Sequence, residues 1–319
     1  MRKTILIFAL LLAFLLCGCF DYNELNMQEL VSGVGIDSDG GKISVSVQCA
    51  STDDSEGTIY RATGESFFDA VRNVSLQNPK KLYWGHAQTL ILGESAVSEA
   101  SAVFDAILRA RDIYLDIIPI VAKGATAREI VDSKAPDGEA ATASLFSAFA
   151  NEKNSRRFRA VRLWELLRDK SGRGFCILPA VELREGAPVF SGGAVLRENS
   201  APVFLSGEQI LLLSLLEEDG GGGYLPPISA ESHEFSFEIL AQKLRRRDGA
   251  ISLHLILSPA EVCGDADSAM MKKTAEEWLD AHFADFADFL SENNLSSILR
   301  GSDSVTTEVT ISNILGGRR

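Results

Sequence analysis

Alternation of polar and apolar residues predicts the first two structural elements of the chain. Residues 42–49, KISVSVQC, alternate strictly, which is typical of a half-buried β-strand. A mostly apolar stretch at 30–37 precedes them, and the residues between the two, 38–41, are turn formers that include two glycines. The pattern therefore predicts a β-hairpin with Cys49 on its buried face.

Apolar residues further along recur with the three-to-four-residue spacing of amphipathic helices. Three predicted helices begin at N-cap residues: Ser66, Thr126 and Ser206. Glu129 completes a capping-box signature with the second of these. The longest periodic stretch, 267–293, predicts one long helix. On its apolar face we expect His282 to be a residue at the edge of the core and not a ligand.

Segments dense in apolar side chains predict the remaining strands. Residues 80–93, KKLYWGHAQTLILG, are expected to form one buried strand that His86 caps or packs against. Further strands are predicted at 113–121, 175–183, 193–196, 203–205, 235–240, 250–258 and 304–312. Helices and strands alternate in the first two thirds, and the last third reads as consecutive strands with one long helix. The predicted fold class is α+β, multi-domain, with mixed or antiparallel sheets and packed helices.

Two changes of composition predict how the chain is divided. A polar Gly/Pro break at 185–188 separates an N-terminal domain, 19–187, from a C-terminal domain, 188–319. Four consecutive glycines at 220–223 predict a flexible connection. A phosphate-binding loop is disfavoured there, because no Lys-Ser/Thr pair follows the glycines.

The first residues have the layout of a bacterial secretory signal peptide, assigned to residues 1–18. Arg2 and Lys3 precede an apolar run of about a dozen residues, which is short of the roughly 20 that span a bilayer. A glycine directly before Cys19 resembles the lipobox of lipoprotein signal peptides. This resemblance implies that Cys19 receives a diacylglyceryl group and becomes the first residue of the mature chain. The alternative is an ordinary signal peptide with a chance cysteine at its end.

Composition and charge narrow the classes of partner. The 319 residues, 46% of them hydrophobic, suffice for the cores of two or three domains. The formal charge is −13, and loss of Arg2 and Lys3 with the signal peptide would make it −15. An acidic chain argues against nucleic acid and against anionic lipid headgroups as surface ligands. The basic cluster at 243–247 is read as a solvated hairpin turn, with a local anion or headgroup contact as the alternative.

Metal and cofactor chemistry find little support in the sequence. Processing would leave three widely spaced cysteines, which does not suggest a disulfide framework: Cys49, Cys176 and Cys263. The four histidines are scattered, and no metal or cofactor is expected. Asp37 and Asp39 have the spacing that begins a calcium loop. However, Lys42 stands at its glycine position and Gln48 at its glutamate position, so we interpret the segment as a turn.

Catalysis is not predicted either. The polar groups considered are Trp84 and His86 with Ser95, Arg111 with Asp112, and Glu238 with His254. None of these sets offers a nucleophile, a base and a group that orients the base. The chain is therefore predicted not to be an enzyme.

Five short blocks carry a resemblance to a known family: CFDYNEL at 19–25, VGID at 34–37, KLYWGHAQ at 81–88, Arg111-Asp112 and GAV at 193–195. Together they resemble the Ger(x)C lipoproteins, the C subunits of bacterial spore germinant receptors. That family usually has tryptophan where this chain has Phe20. It also has an Asp-x-x-Gly-x-Gly segment that 293–306 lacks, which implies a shortened C-terminal domain.

The resemblance implies a family-specific fold and a non-enzymatic role. The protein would sit on the outer face of the spore inner membrane, anchored by lipid, beside integral-membrane A and B subunits that sense nutrient germinants. The alternative is the extracytoplasmic solute-binding lipoprotein of an ABC importer. That class needs two doubly wound lobes of repeated βα units, which the last third of the chain does not predict.

Overall fold

The computed structural model describes residues 27–50, 57–198, 200–217, 220–230, 233–247, 249–263, 267–299 and 304–312, with the backbone alone at 169–173. The predicted signal peptide, Cys19 and the CFDYNEL block lie outside these ranges.

Strands and helices alternate in the first two thirds of the described chain. The strands are β1 Gln28–Asp39, β2 Lys42–Cys49, β3 Ile59–Gly64, β4 Lys81–Tyr83, β5 Thr89–Leu92, β6 Ile118–Ala122, β7 Phe175–Arg184, β8 Ala187–Arg197, β9 Val203–Leu205, β10 Ile228–Ala230, β11 His233–Arg247, β12 Ala250–Cys263 and β13 Ser304–Ile311. The α-helices are α1 Phe67–Ser75, α2 Ala100–Arg109, α3 Ala127–Asp132, α4 Ala141–Ala148, α5 Glu152–Ser155, α6 Leu163–Arg173, α7 Gly207–Leu215 and α8 Ser268–Glu292.

The first sheet has nine strands in the order β3-β2-β1-β5-β6-β7-β8-β9, with β4 beside the beginning of β1. Strands β1, β5, β6 and β7 are parallel, and antiparallel strands extend the sheet at both sides. Both faces are covered. Leu90 and Leu92 belong to one apolar cluster and Ile91 to the cluster on the other face, as expected for alternating side chains of a central strand.

The second sheet has four strands in the order β10-β11-β12-β13. Leu253, Leu255 and Leu257 point into one core, which also contains Leu279 and Phe286 from the long helix α8. The alternation of β12 therefore buries one face of the sheet and leaves the other polar. These mixed sheets with packed helices confirm the predicted α+β class.

The first sheet continues past the boundary predicted between residues 187 and 188. Strands β7 and β8 form a hairpin in which Arg184 is opposite Ala187. Glu185 and Gly186 between them both have positive φ, which suits a tight hairpin turn. The polar Gly/Pro break is therefore a turn within one sheet.

Several local predictions are confirmed. The hairpin of β1 and β2 pairs Ile36 with Val45, and Cys49 is buried. The side chains of Ser66, Thr126 and Ser206 each accept a hydrogen bond from the backbone N–H three residues later. The long helix has Asp267 as its N-cap.

Two predictions differ from the structure. Residues 80–93 form two short strands, β4 and β5, because Trp84–His86 make a 3₁₀ turn between them. The glycines at 220–223 are not a free connection, because they are hydrogen-bonded to β11. Gly222 N–H donates to Ile239 O at 2.7 Å, and Ile239 N–H donates to Gly223 O at 2.9 Å.

Candidate functional site

The N-terminal part has an open groove of about 620 Å³, which we call the β4 groove. Its lining comes from α1, from the segment that includes β4, and from the residues after α2: Phe68, Val71, Arg72, Ser75, Pro79, Lys80, Lys81, Leu82, Trp84, Ala110, Asp112 and Ile113. The KLYWGHAQ block and Asp112, which are far apart in sequence, therefore meet at this groove.

The KLYWGHAQ block builds the floor of the groove. Strand β4 pairs in parallel with Gln28–Leu30, at the very beginning of β1. Leu82 and Trp84 are buried, whereas Tyr83 and His86 are exposed. The 3₁₀ turn closes with Ala87 N–H donating to Trp84 O at 2.9 Å. His86 is thus exposed on a turn, and the prediction that it caps or packs a buried strand is wrong.

Two exposed tyrosine rings lie over the glycine in the middle of this turn. A Cβ at Gly85 would lie 2.8 Å from the Tyr83 ring and 3.2 Å from the Tyr114 ring. Both distances are shorter than ordinary van der Waals contact, so the two tyrosine rings cover the glycine.

Glu29 fixes the segment that leads into the groove. Its half-buried carboxylate accepts a hydrogen bond from Asn78 Nδ2 at 2.9 Å and lies 4.0 Å from Lys80 Nζ. Burial and, after it, the same carboxylate raise the pKa of the Cys49 thiol from 9.0 to about 12. The same two causes raise the pKa of Tyr60 from 10.0 to about 12. Glu29 therefore joins β1, β2, β3 and the approach to β4.

The rim of the groove carries mixed charge. Arg72 Nη2 donates to Asp69 Oδ1 at 2.7 Å, which lowers the pKa of that carboxyl. Lys81 and Asp112 are both exposed and both line the groove. An apolar floor with a charged rim suits a contact surface better than a reaction centre, because it places no nucleophile beside a base.

The VGID block contributes a long-range helix cap and not a ligand site. Asp37 accepts hydrogen bonds from the backbone N–H groups of Ala127 and Arg128, each at 2.9 Å. Gly35 allows the close approach of α3, because a Cβ there would lie 3.0 Å from Ala127 O. Asp37 is the last residue of the stretch predicted as a strand; it lies within β1, and its carboxylate holds the first turn of α3.

The polar sets considered for catalysis are not assembled. Ser95 Oγ accepts a hydrogen bond from Ser38 N–H at 3.1 Å. Glu238 is opposite Ser258, whereas His254 is opposite Lys243 and pairs through Nε2 with Thr310 Oγ1 at 2.9 Å. Glu238 and His254 are therefore not paired, and the contact of His254 is with a threonine hydroxyl.

A second, smaller concavity of about 370 Å³ lies on the polar face of β11, β12 and β13. Its polar lining residues are Lys243, Arg245, Ser252, His254, Thr306, Thr307 and Glu308. The basic cluster forms the last residues of β11, and Arg247 is opposite Ala250, so the cluster leads into the predicted hairpin turn to β12. Its members also face different ways, since Arg246 Nη2 donates to Leu216 O at 2.6 Å.

Other predicted features can be placed directly. His282 is half-buried, its Nδ1 lies 2.8 Å from Trp278 O, and its ring stacks on Trp278. Within the described ranges, no three His, Cys, Asp or Glu side chains come together as a metal-binding group. Among the same residues, no helix combines the length and the apolar character needed to cross a membrane. The predicted lipidation site, Cys19, lies outside the described ranges.

Comparison with known proteins gives one family and one fold. Residues 21–183 match the family model described as the spore germination protein N-terminal domain. No curated protein matches the chain. The solved structure described as the crystal structure of the GerBC protein is similar, with a TM-score of 0.52, 16% sequence identity, and coverage of 88% of this chain and 97% of that chain. At this identity the likeness concerns the fold alone.

Proposed function

This chain belongs to the family of spore germination proteins whose N-terminal domain it carries at residues 21–183, and we propose that it is the C subunit of a nutrient germinant receptor. The observation that carries the proposal is this family match, which spans half of the chain. The GerBC-like fold over 88% of the chain agrees with it.

In this proposal the protein is a non-catalytic element that assembles with integral-membrane A and B subunits. The β4 groove supports such a role, because it joins an apolar floor to a charged rim and contains no nucleophile beside a base. Assembly through this surface would couple the events in the membrane subunits to the folded body outside the membrane.

The proposed location is the outer face of the spore inner membrane, with Cys19 carrying the lipid. A diacylglyceryl cysteine provides two acyl chains, and two chains anchor stably where one chain does so only reversibly. Seven residues, 20–26, lie between Cys19 and Met27, the first residue that the structure describes.

A solute-binding lipoprotein of a transporter is the second candidate. Its two doubly wound lobes would each need a mostly parallel sheet covered by helices on both faces. Here the second sheet has four strands, and the pairs β10–β11 and β11–β12 are antiparallel. The receptor subunit is therefore favoured. Neighbouring genes for a transporter-like protein and a large membrane subunit would support the receptor, and an ABC permease gene would support the importer.

Deletion of the gene tests the receptor function. Spores without it should lose germination in response to nutrients and keep germination triggered by non-nutrient agents. Normal nutrient germination in the deletion strain, in the absence of a second copy, would contradict the proposal.

The anchor is tested separately with two neighbouring cysteines. Cys19→Ala should abolish incorporation of labelled palmitate and release the protein from the membrane fraction. Cys17→Ala is the matched control and should change neither, because Cys17 would be removed with the signal peptide. Retention of label in Cys19→Ala would show that the lipid is elsewhere.

A further inference from the structure

One edge of the first sheet exposes large apolar side chains. Strands β1, β5 and β6 are parallel, so the segments that lead into them gather at the same edge. Ten large apolar residues of the described chain are exposed by more than a third, and five belong to this edge or border it: Met27, Leu76, Tyr83, Tyr114 and Trp164. We call this set, with Lys80 and Lys81, the strand-start face.

The position of each member follows from backbone contacts. Met27 directly precedes β1, and Tyr83 is paired with Leu30 near the start of that strand. The rings of Tyr114 and Tyr83 both lie over Gly85. Trp164 N–H donates to Leu115 O at 3.1 Å, which places it beside the segment leading into β6. Leu76 is the C-cap of α1, five residues before β4. The five exposed side chains therefore come from separate segments around one edge.

The composition of this face is that of a membrane interface. Tyrosine and tryptophan combine an apolar ring with a polar group, and they concentrate at headgroup level in membrane proteins. Lys80 and Lys81 accompany them, and the Arg168 guanidinium lies 5.5 Å from the Trp164 ring centre. Asp112 and Asp116 also lie near this edge, so the apolar and aromatic groups, and not net charge, would provide the attraction.

The chain also leaves the folded body here. Gln28 is opposite Lys81, so the connection towards Cys19 starts at this face. Seven residues lie between Cys19 and Met27, and a fully extended chain over these eight Cα–Cα steps reaches at most about 29 Å. An anchored protein would therefore keep this edge closer to the bilayer than the second sheet.

We propose that the strand-start face rests on the membrane, with Leu76, Tyr83, Tyr114 and Trp164 at the level of the lipid headgroups. The proposal rests on the proposed function, because it assumes the anchor at Cys19. It adds a second, non-covalent attachment that fixes the orientation of the body. The acidic charge of the whole chain does not oppose it, since the contact is apolar and aromatic.

Quenching of tryptophan fluorescence by brominated lipids tests this contact. The full mature, lipidated protein is reconstituted into vesicles of phosphatidylethanolamine and phosphatidylglycerol with bromine near the headgroup. Three proteins are compared: wild type, Trp164→Phe and Trp278→Phe. Wild type should be quenched, Trp164→Phe should lose most of the quenching, and Trp278→Phe should keep it because Trp278 lies on α8 in the second core. Equal loss in both variants, or no quenching in wild type, would overturn the proposal.

A second pair of variants probes the face without changing a tryptophan. Tyr114→Asp should reduce the quenching of Trp164, whereas Tyr224→Asp should not. Both tyrosines are exposed, at 59% and 49%, so neither change should affect folding. Equal quenching in wild type and Tyr114→Asp would contradict the assigned contact.

Flotation of the vesicles distinguishes the lipid anchor at Cys19 from the membrane contact of the strand-start face. Protein that fails to float with the vesicles would refute the anchor. Protein that floats without quenching of Trp164 would refute the strand-start face alone. Shielding of Trp164 from acrylamide only when the integral-membrane subunits are added would assign the face to a protein partner, and would also overturn the lipid contact.

Discussion

The Asp37 carboxylate accepts a hydrogen bond from the backbone N–H of Ala127 at 2.9 Å, although the two residues are 90 positions apart. It also accepts the N–H of Arg128, and Thr126 Oγ1 accepts that of Glu129. The first three N–H groups of α3, which have no partner inside the helix, are therefore all satisfied. One of the shortest helices of the structure is held to the central strand β1 by this cap.

Removing the Asp37 carboxylate should destabilise the protein. Asp37→Ala leaves two N–H groups at the start of α3 without an acceptor, and loss of a helix cap typically costs about 1–2 kcal/mol. Asp37→Asn should cost less, because the amide oxygen still accepts and only the attraction of the negative charge to the helix dipole is lost. The free energy of unfolding in urea measures both.

Asp39→Ala is the matched control for this prediction. Asp39 is exposed at the end of β1, and its replacement should change the free energy of unfolding by less than about 0.5 kcal/mol. Gly93 gives a further check, because a Cβ there would overlap Asp37 Oδ1. Gly93→Ala and Asp37→Ala should therefore be less than additive in combination, and strict additivity would contradict the contact.

The local part of this fold could be predicted from sequence, because its signals lie within a few residues. Thr126 and Glu129 form their capping box three positions apart, and the alternation in residues 42–49 is confined to one strand. The contact between Asp37 and Ala127 has no such signal. It depends on which strands become neighbours, and the chain between the two residues does not encode that in a short pattern.

In the candidate site, too, local motifs could be predicted from sequence and long-range contacts could not. The KLYWGHAQ block could be recognised as a motif, but an apolar stretch does not reveal a turn inside it, and the Trp84–His86 turn divided the expected strand in two. Asp112 could not be placed at the same groove from sequence, because only the packing of α2 beside α1 brings it near β4. Glu29, which links four segments, carried no sequence signal at all.

Two buried threonines should respond in opposite directions to the same substitution. Thr142 Oγ1 donates to Gln48 Oε1 at 2.7 Å and lies 2.9 Å from Ser32 Oγ. Thr142→Val leaves the buried Gln48 amide oxygen with the longer hydrogen bond from Thr142 N–H at 3.3 Å. We therefore expect the free energy of unfolding to fall by about 1–3 kcal/mol. Thr89 is also fully buried, but its Oγ1 has no hydrogen-bond partner in the described structure.

Thr89→Val removes that unpaired hydroxyl and keeps the shape of the side chain. It should be neutral or stabilise the protein by about 1 kcal/mol, because a buried polar group without a partner carries a desolvation cost. Urea unfolding of the two variants side by side is the measurement. A large destabilisation by Thr89→Val would show that its hydroxyl has a partner.

Stability should fall at alkaline pH because of Cys49 and Tyr60. Both folded-state pKa values are raised to about 12, from 9.0 and 10.0, so the folded state favours the protonated groups. Their contribution is complete below about pH 9 and is lost as the pH rises towards 12. The free energy of unfolding, measured from pH 8 to pH 11, should decrease.

Two variants identify the source of this alkaline loss. Cys49→Ala removes one titrating group and should make the decrease shallower. Glu29→Gln should also make it shallower, though less, because burial and not Glu29 is the larger cause of both pKa shifts. If the free energy of unfolding of Cys49→Ala decreased with pH as steeply as that of wild type, the thiol would not contribute to the alkaline loss.

The last prediction concerns the four glycines that resemble a linker in sequence. Gly222 and Gly223 exchange hydrogen bonds with Ile239, and a Cβ at Gly221 would overlap Leu240 O. Gly221→Ala should therefore displace this segment from β11 and lower the free energy of unfolding by about 1–3 kcal/mol. Gly220→Ala is the control, because no atom lies within 4 Å of its Cβ position. If the run were a flexible connection, both changes would be neutral or would stabilise by about 0.4–1 kcal/mol through the unfolded chain. Equal unfolding free energies for the two variants would therefore favour the linker, whereas a selective loss at Gly221 identifies the run as a paired edge of the second sheet.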